Sequence, residues 1–271
     1  MKIQDKVAVV TGAVGGIGQA VALELAHRGA RHVAVVDQSS QAMEVASQIN
    51  AKVGREATTG FSGDVTQEAF RKGVYQSLRD NHGVATICVP AAGITRDELA
   101  VKLDKEKGEI VIYPIEKFRL VTEVNLIAPV YWALQMVAGV ADDRRINGKR
   151  RWEPEEGVQG AVIFIGSVSS LGNKGQIAYA TTKAGLEGAA ATLMMEAIFH
   201  GVRCGVIHPG YTNTSMVQAI PPEFLKEQII PRTQLRRLIA PGEIADAICF
   251  MISNSAVSGS LWADAGYRPP A

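Results

Sequence analysis

Short apolar runs alternate along this chain with stretches whose apolar residues have helical spacing. Lys6–Thr11, His32–Val36 and Ala161–Ile165 are continuous runs rich in β-branched residues, and Gln19–Arg28 has helical spacing. Continuous apolar runs of this length are typical of parallel strands buried on both faces. At 271 residues, the chain suits one large α/β domain.

A glycine-rich turn, Gly12-Ala-Val-Gly-Gly-Ile-Gly18, lies between the first predicted strand and the first helix. Glycines let a phosphate approach the backbone closely, and a helix N-terminus presents free N–H groups to it. Such a sequence also fits an ordinary tight turn. However, the second strand ends at Asp37, about twenty residues further on, where a carboxylate can hold the ribose diol of adenosine. The combination predicts dinucleotide binding.

A second candidate site lies in the run from Gly166 to Gly185. Ser167 follows an apolar strand, and Tyr179 and Lys183 are four residues apart, on one face of a predicted helix. A nearby cation favours phenolate and lowers a tyrosine pKa towards that of a general acid/base, and a serine can hydrogen-bond a substrate oxygen. A Tyr-x-x-x-Lys pair alone is most often a solvated helix face. The strand, the serine and the N-terminal motif together favour a catalytic site.

Composition excludes several classes of function. The formal charge of +1 argues against binding nucleic acid or another polyanion. Cys88, Cys204 and Cys249 lack metal-ligand spacing and lie in apolar surroundings, so we expect buried free thiols and no metal site. His208 is expected to be structural. No signal peptide is expected, and no apolar run approaches the length of a membrane span, so we predict a soluble cytoplasmic protein.

The pattern Thr11-Gly12-x-x-x-Gly16-x-Gly18, together with Tyr179-x-x-x-Lys183, resembles the classical short-chain dehydrogenase/reductase family along nearly the whole chain. Gly93-Ile-Thr-Arg-Asp97 is similar to a segment of its 3-oxoacyl-acyl-carrier-protein reductase branch. The resemblance implies a Rossmann-type doubly wound, seven-stranded parallel sheet in a three-layer α/β/α domain over residues 1–271. It also implies a homotetramer that pairs the long helices starting near Lys117 and Ile177.

The resemblance also implies roles for individual residues. Tyr179 is expected to exchange the proton on the substrate oxygen while hydride moves to or from nicotinamide. Lys183 is expected to lower the tyrosine pKa and to bind the nicotinamide ribose. Ser167 would hydrogen-bond the substrate oxygen, and Asn125 would position a relay water. The family usually has an Asn-Asn pair where Pro90 and Ala91 stand here. The implied cofactor contacts are Gly12, Gly16, Ile17, Gly18, Asp37, Asp64, Val65, Ala92, Gly93, Tyr179, Lys183, Pro209, Gly210, Thr212 and Thr214.

Asp37 bears on the choice of cofactor. A carboxylate accepts ribose hydroxyls but repels a 2′-phosphate, and Val14, Gly15 and Gln38 supply no positive charge, so we predict NAD(H) over NADP(H). The similar reductases commonly use NADPH. The alternatives are therefore an NADH-linked 3-oxoacyl thioester reductase and an NAD-linked secondary-alcohol or polyol dehydrogenase. A non-catalytic dinucleotide sensor is disfavoured because all four catalytic positions are filled.

Three segments stand out from the family pattern. Residues 96–116 form a predicted insertion that fits a solvated surface loop and could also hold a hairpin. Residues 142–157 form a second insertion, a solvated loop whose charges could also pair with one another or dock an acidic partner through Arg144, Arg145, Lys149, Arg150 and Arg151. Residues 212–232 place apolar side chains around Pro221-Pro222, which indicates a lid over a hydrophobic pocket or a packed helix pair. An apolar lid favours a hydrophobic ketone or acyl chain over a sugar.

Overall fold

The computed structural model describes residues 1–267. Within them, parallel strands form a seven-stranded sheet in the order β3-β2-β1-β4-β7-β8-β9, and β5 and β6 form a separate antiparallel pair. The strands are β1 (Val7–Thr11), β2 (His32–Asp37), β3 (Thr58–Ser62), β4 (Ala85–Pro90), β5 (Val101–Asp104), β6 (Glu109–Ile112), β7 (Gly160–Ile165), β8 (Val202–Pro209) and β9 (Gly259–Ala263).

Helices cover both faces of this sheet. They are α1 (Gly16–His27), α2 (Ala42–Val53), α3 (Glu68–Asn81), α4 (Ile115–Thr122), α5 (Ala128–Ile146), α6 (Ile177–Ala197), α7 (Ser215–Gln218), α8 (Pro222–Phe224) and α9 (Pro241–Ser253). A π-helix, Glu123–Ile127, joins α4 to α5. Helix α1 begins three residues earlier than predicted, so the glycine turn itself supplies the first N–H groups of the helix.

The two layers of helices explain the continuous apolar strands. Successive side chains of a strand point to opposite faces. In β1, Ala8 and Val10 pack in a cluster with α1 and α9, whereas Val7 and Val9 pack in a second cluster with α3, α5 and α6. Every position of the strand is therefore buried. The predicted three-layer, doubly wound fold is confirmed.

One helical stretch contradicts an expectation from the sequence. Ile115–Ile146 is long and apolar enough, by length and composition, to cross a membrane, although no run of that length was expected. In this fold its apolar face packs on the sheet, where Trp132, Ala133 and Met136 are fully buried. Core helices pass the same length and composition test, so among the described residues this stretch is weak evidence for a membrane span.

The charged segment 142–157 pairs with itself. The guanidinium of Arg144 is buried and donates two hydrogen bonds, of 2.9 and 3.0 Å, to the carboxylate of Glu156. Lys149 contacts the same carboxylate at 2.7 Å, and Arg145 pairs with Asp142. The hypothesis that these basic residues together dock an acidic partner is therefore wrong for Arg144, which is not accessible.

The three cysteines are free and buried, as predicted. Burial raises the pKa of Cys88, Cys204 and Cys249 to about 12, because a thiolate is poorly solvated in the core. Residues 96–116 contain the β5–β6 hairpin, in which Val101 pairs with Ile112 and Asp104 with Glu109.

Candidate active site

Two adjoining cavities open at the carboxyl ends of the parallel strands. The first, of about 370 Å³, is lined by the glycine turn, Asp37 and Lys183, and we call it the turn cavity. The second, of about 150 Å³, is lined by Ser167 and the segment after β8, and we call it the lid cavity. Tyr179 lines both cavities. Ligands of open α/β sheets bind at this edge, so the phenol stands where a dinucleotide and a second molecule would meet.

Packing explains the glycines of the turn. Gly12 has φ +65°, and a Cβ there would lie 2.7 Å from the Ala92 backbone. By contrast, a Cβ on Gly15 would meet no atom within 4 Å. The amide of Ala92 donates to the Thr11 hydroxyl at 3.2 Å, which holds the two loops together. This bond braces the end of β4 although the family's usual asparagines are absent.

Asp37 has a structural role that the sequence did not indicate. One carboxylate oxygen accepts a hydrogen bond from the amide of Val14, in the glycine turn, at 3.1 Å. The other accepts from the amide of Ser39 at 3.0 Å. Each carboxylate oxygen can accept a further bond. Asp37 thus fixes the turn and retains acceptor capacity facing the turn cavity.

Lys183 is buried beneath Tyr179. Its ammonium donates to the carbonyl of Ile165 at 2.7 Å and lies 5.6 Å from the centre of the Tyr179 ring. Burial lowers the pKa of Lys183 to about 8. The lysine is therefore still charged at neutral pH, but burying that charge costs free energy of desolvation.

The pKa of Tyr179 departs from the expectation. Burial raises it to about 12, and a hydrogen bond with Ser167 only partly opposes this effect. The predicted lowering of the Tyr179 pKa by Lys183 is therefore wrong, because desolvation of the phenolate outweighs the other influences on it. The phenol is consequently protonated at neutral pH.

Asn125 is fully buried in the π-helix. Its side-chain amide donates to the carbonyl of Ile94 and accepts from the amide of Ile94, both at 2.8 Å. A π-turn offsets the helix locally and often occurs at functional sites. The side chain is thus used to hold the loop after β4, and its part in a water relay stays a prediction.

The lid cavity has walls of different character. The Gln176 amide donates to Asp97 at 2.8 Å and accepts from Ser169 at 2.8 Å and from Asn173 at 2.9 Å. The lining also includes an apolar group that consists of Met216, Val217 and Ile220. Our sequence reasoning missed the polar wall. Its only local signal was the position of Gln176, one helical turn before Tyr179.

The other predicted site residues separate into groups. Lining the turn cavity are Gly12, Gly16, Ile17, Gly18, Asp37, Ala92, Gly93 and Thr214. Pro209, Gly210 and Thr212 line the lid cavity, as does Thr214. Asp64 and Val65 line neither. The Asp64 carboxylate accepts from the backbone and hydroxyl of Thr66, and the Val65 carbonyl accepts from Trp132.

Comparisons with known proteins show the family to which the chain belongs. The family profile described as short chain dehydrogenase matches residues 6–224. The chain is 33% identical over 257 residues to the 3-oxoacyl-(acyl-carrier-protein) reductase FabG of Pseudomonas aeruginosa, covering 94% of this chain and 93% of the relative. It is 30% identical over 261 residues to the acetoacetyl-CoA reductase of Cupriavidus necator, with coverages of 96% and 95%. The (3R)-3-hydroxyacyl-CoA dehydrogenase of Canis lupus familiaris is also 30% identical, with coverages of 93% and 91%.

Among solved structures, a crystal structure named ribose-5-phosphate isomerase from Brucella melitensis matches with a TM-score of 0.78 and 27% identity, covering 98% of this chain and 93% of that chain. The match to the family profile and the relatives span most of the chain. The sequence resemblance is thereby confirmed. The chain belongs to the short chain dehydrogenase family and is an oxidoreductase that acts on hydroxyl or keto groups.

Proposed function

We propose that this protein is an NAD(H)-dependent reductase of 3-oxoacyl thioesters, which interconverts a ketone and a secondary alcohol. The position of Tyr179 carries the proposal, since its phenol lies at the junction of the turn cavity and the lid cavity. The nicotinamide, when bound, supplies or accepts the hydride. The protein's own residues then have to bind the substrate oxygen and move one proton.

Tyr179 is the proton donor in reduction. Its pKa of about 12 keeps the phenol protonated at neutral pH, so the resting enzyme is ready to protonate an oxygen that is gaining negative charge. Ser167 hydrogen-bonds the phenol and would hold the same oxygen. Lys183 places a buried positive charge below the ring, where it favours the phenolate that remains after proton transfer.

The two walls of the lid cavity support an acyl substrate. The apolar wall of Met216, Val217 and Ile220 suits a hydrocarbon chain, and we propose that residues 212–232 act as a lid. In the same cavity, the network around Gln176 offers hydrogen bonds to a second oxygen near the reacting carbon. A 3-oxoacyl thioester has both features. The names of the relatives, which include an acetoacetyl-CoA reductase, agree with this class.

The proposed preference for NAD(H) depends on the charge of the turn cavity. Among the described residues that line this cavity, Asp37 carries the one carboxylate and Lys183, at the catalytic end, carries the one positive charge. A 2′-phosphate near Asp37 would therefore meet a negative charge without a compensating arginine or lysine. Ribose hydroxyls would instead donate to the free acceptor positions of the carboxylate.

Titration of NADH and NADPH tests the cofactor. Wild type should bind NADH at least about tenfold more tightly than NADPH, since an unfavourable contact of about 1.4 kcal/mol between the 2′-phosphate and Asp37 is enough for a tenfold difference. Asp37→Asn should reduce this discrimination, and its one amide oxygen can still accept from the Val14 amide although the bond from Ser39 is lost; Asp37→Ala loses both bonds and should also weaken NADH binding by loosening the turn. Glu44→Gln, at an exposed position, controls for the lost charge. Preferred binding of NADPH by wild type would refute the cofactor assignment.

Turnover tests the chemistry separately. Tyr179→Phe should abolish reduction of acetoacetyl-CoA while the Kd for NADH stays near that of wild type, because the phenol moves the proton and the ring remains. Normal turnover of this variant would refute the role of Tyr179. Faster turnover of a simple secondary alcohol or a polyol than of the thioester would refute the substrate class.

We also propose a homotetramer. Ile127, Tyr131 and Leu134 recur at helical spacing along α5 and its π-helix, and they are 39%, 51% and 40% exposed. An apolar stripe of this kind is typical of a helix that packs against another subunit. Light scattering should give the mass of four chains, and a monomer would contradict the proposal.

A further inference from the structure

A buried histidine lies directly behind Ser167. His208, near the end of β8, is fully buried. Its Nδ1 lies 3.3 Å from the amide nitrogen of Ser167, 3.1 Å from the carbonyl oxygen of Ser167 and 3.3 Å from the hydroxyl of Ser170. The ring therefore contacts the backbone of the residue whose side chain faces the lid cavity.

Helix α6 lies against the other side of the ring. Nε2 of His208 lies 2.8 Å from Oε1 of Glu187, and the hydroxyl of Ser260 donates to Oε2 of the same carboxylate at 2.7 Å. Glu187 follows Lys183 by four residues and Tyr179 by eight, so the three side chains share one face of the helix. Through Glu187, the helix that carries Tyr179 also contacts the support of Ser167.

Two neighbours leave the ring little freedom. The indole of Trp262 stacks on it, with ring centres 4.2 Å apart and planes 16° apart. On the chain before Ser167, Gly166 has no side chain, and a Cβ there would lie 2.5 Å from Nδ1 of His208. The absence of a side chain at position 166 is what lets the ring approach the backbone.

We propose that His208, packed between Glu187 and Trp262, is a positioning residue for Ser167. The inference rests on the proposed function, in which Ser167 holds the substrate oxygen. With its proton on Nε2, beside the Glu187 carboxylate, the neutral ring presents Nδ1 as an acceptor to the Ser167 amide and the Ser170 hydroxyl. In a cationic ring, Nδ1 would instead donate to the Ser167 carbonyl. In both protonation states, Nδ1 has a partner on Ser167.

The consequence for the reaction is geometric. The Ser167 hydroxyl accepts a bond from the Ser169 amide at 3.1 Å, so its direction depends on where the local backbone lies. Misplacement of a reacting group by about 1 Å can cost about 100-fold in rate. Loss of the His208 contact should therefore lower kcat much more than it changes the KM for NADH or the KM for the ketone substrate.

Three substitutions of His208 test this inference. In Asn the amide group lies near the position of Nδ1, in Gln it lies near that of Nε2, and Leu has neither group. His208→Asn should keep kcat within about threefold of wild type, while His208→Gln and His208→Leu should lose about 10- to 100-fold. KM for NADH and for acetoacetyl-CoA should change less than about threefold. All rates are divided by the concentration of NADH-binding sites, so that unfolded protein does not count.

His32→Asn is the matched control. His32 is equally buried, at the start of β2 and thus at the opposite end of the sheet from the site. Its replacement should lower stability and leave kcat per binding site unchanged. Equal kcat values for His208→Asn and His208→Gln would overturn the inference, even if His208→Leu does not fold. An active Ser167→Ala variant would instead refute the proposed function on which the inference rests.

Discussion

Replacing Lys183 by methionine should change the pH dependence of folding in a direction that the structure specifies. The lysine side chain is 4% exposed, and its ammonium donates to one acceptor, the Ile165 carbonyl. Burial lowers its pKa from 10.5 to about 8. Below pH 8 the lysine is charged in both the folded and the unfolded chain, so the whole desolvation cost is present. Between pH 8 and 10.5 the folded protein releases the proton before the unfolded chain does, so stability rises with pH.

The size of the effect follows from the pKa difference. A pKa that is lowered from 10.5 to about 8 corresponds to about 3 kcal/mol of unfolding free energy, of which about 2 kcal/mol is regained between pH 7 and 9.5. Lys183→Met removes this titration. It also removes the hydrogen bond to the Ile165 carbonyl, but that loss lowers the unfolding free energy of the variant by a similar amount at pH 7 and at pH 9.5. The buried cysteines titrate in both proteins and cancel in the comparison, and Tyr179, with a pKa of about 12, contributes little up to pH 9.5.

Urea unfolding at pH 7, 8 and 9.5 measures the difference, with stability taken from the midpoint and slope of each transition. Wild type should gain about 2 kcal/mol relative to Lys183→Met between pH 7 and 9.5. Lys174→Met, at an exposed position, is the matched control and should show a constant difference from wild type. A constant difference for Lys183→Met as well would show that Lys183 is not desolvated and would refute the reasoning.

Three further predictions follow from particular contacts. Gly12→Ala should abolish NADH binding measured by calorimetry, because φ is +65° and the Cβ would meet the Ala92 backbone, whereas Gly15→Ala should bind normally. Glu156→Gln should lower the unfolding free energy measured in urea, because it leaves the buried guanidinium of Arg144 without its carboxylate, and Glu155→Gln, at an exposed position, should have no effect. The rate of alcohol oxidation should rise with pH from 7 to 9.5, because the raised pKa of Tyr179 makes the phenolate scarce, while the chemical step of ketone reduction should stay nearly constant from pH 6 to 8. A pH-independent oxidation rate would contradict this role.

Much of the fold could be predicted because its signals are local. A strand covered on both faces must be apolar at each position, and this leaves a continuous run such as that of β1. The glycine turn and the four-residue spacing of Tyr179 and Lys183 are likewise properties of neighbouring residues, and both are where the sequence placed them.

Only the tertiary structure decided what surrounds those side chains. Asp37 binds an amide 23 residues away, Asn125 pairs with Ile94 across 31 residues, and Gln176 reaches Asp97 across 79. The direction of the Tyr179 pKa shift was predicted wrongly because spacing reports a nearby cation and does not report how much water the fold removes. The sequence by itself determined which groups could react and which segments bring them together. Long-range hydrogen bonds and desolvation, which depend on packing between segments distant in the chain, decided how those groups are held and which of their charges are costly.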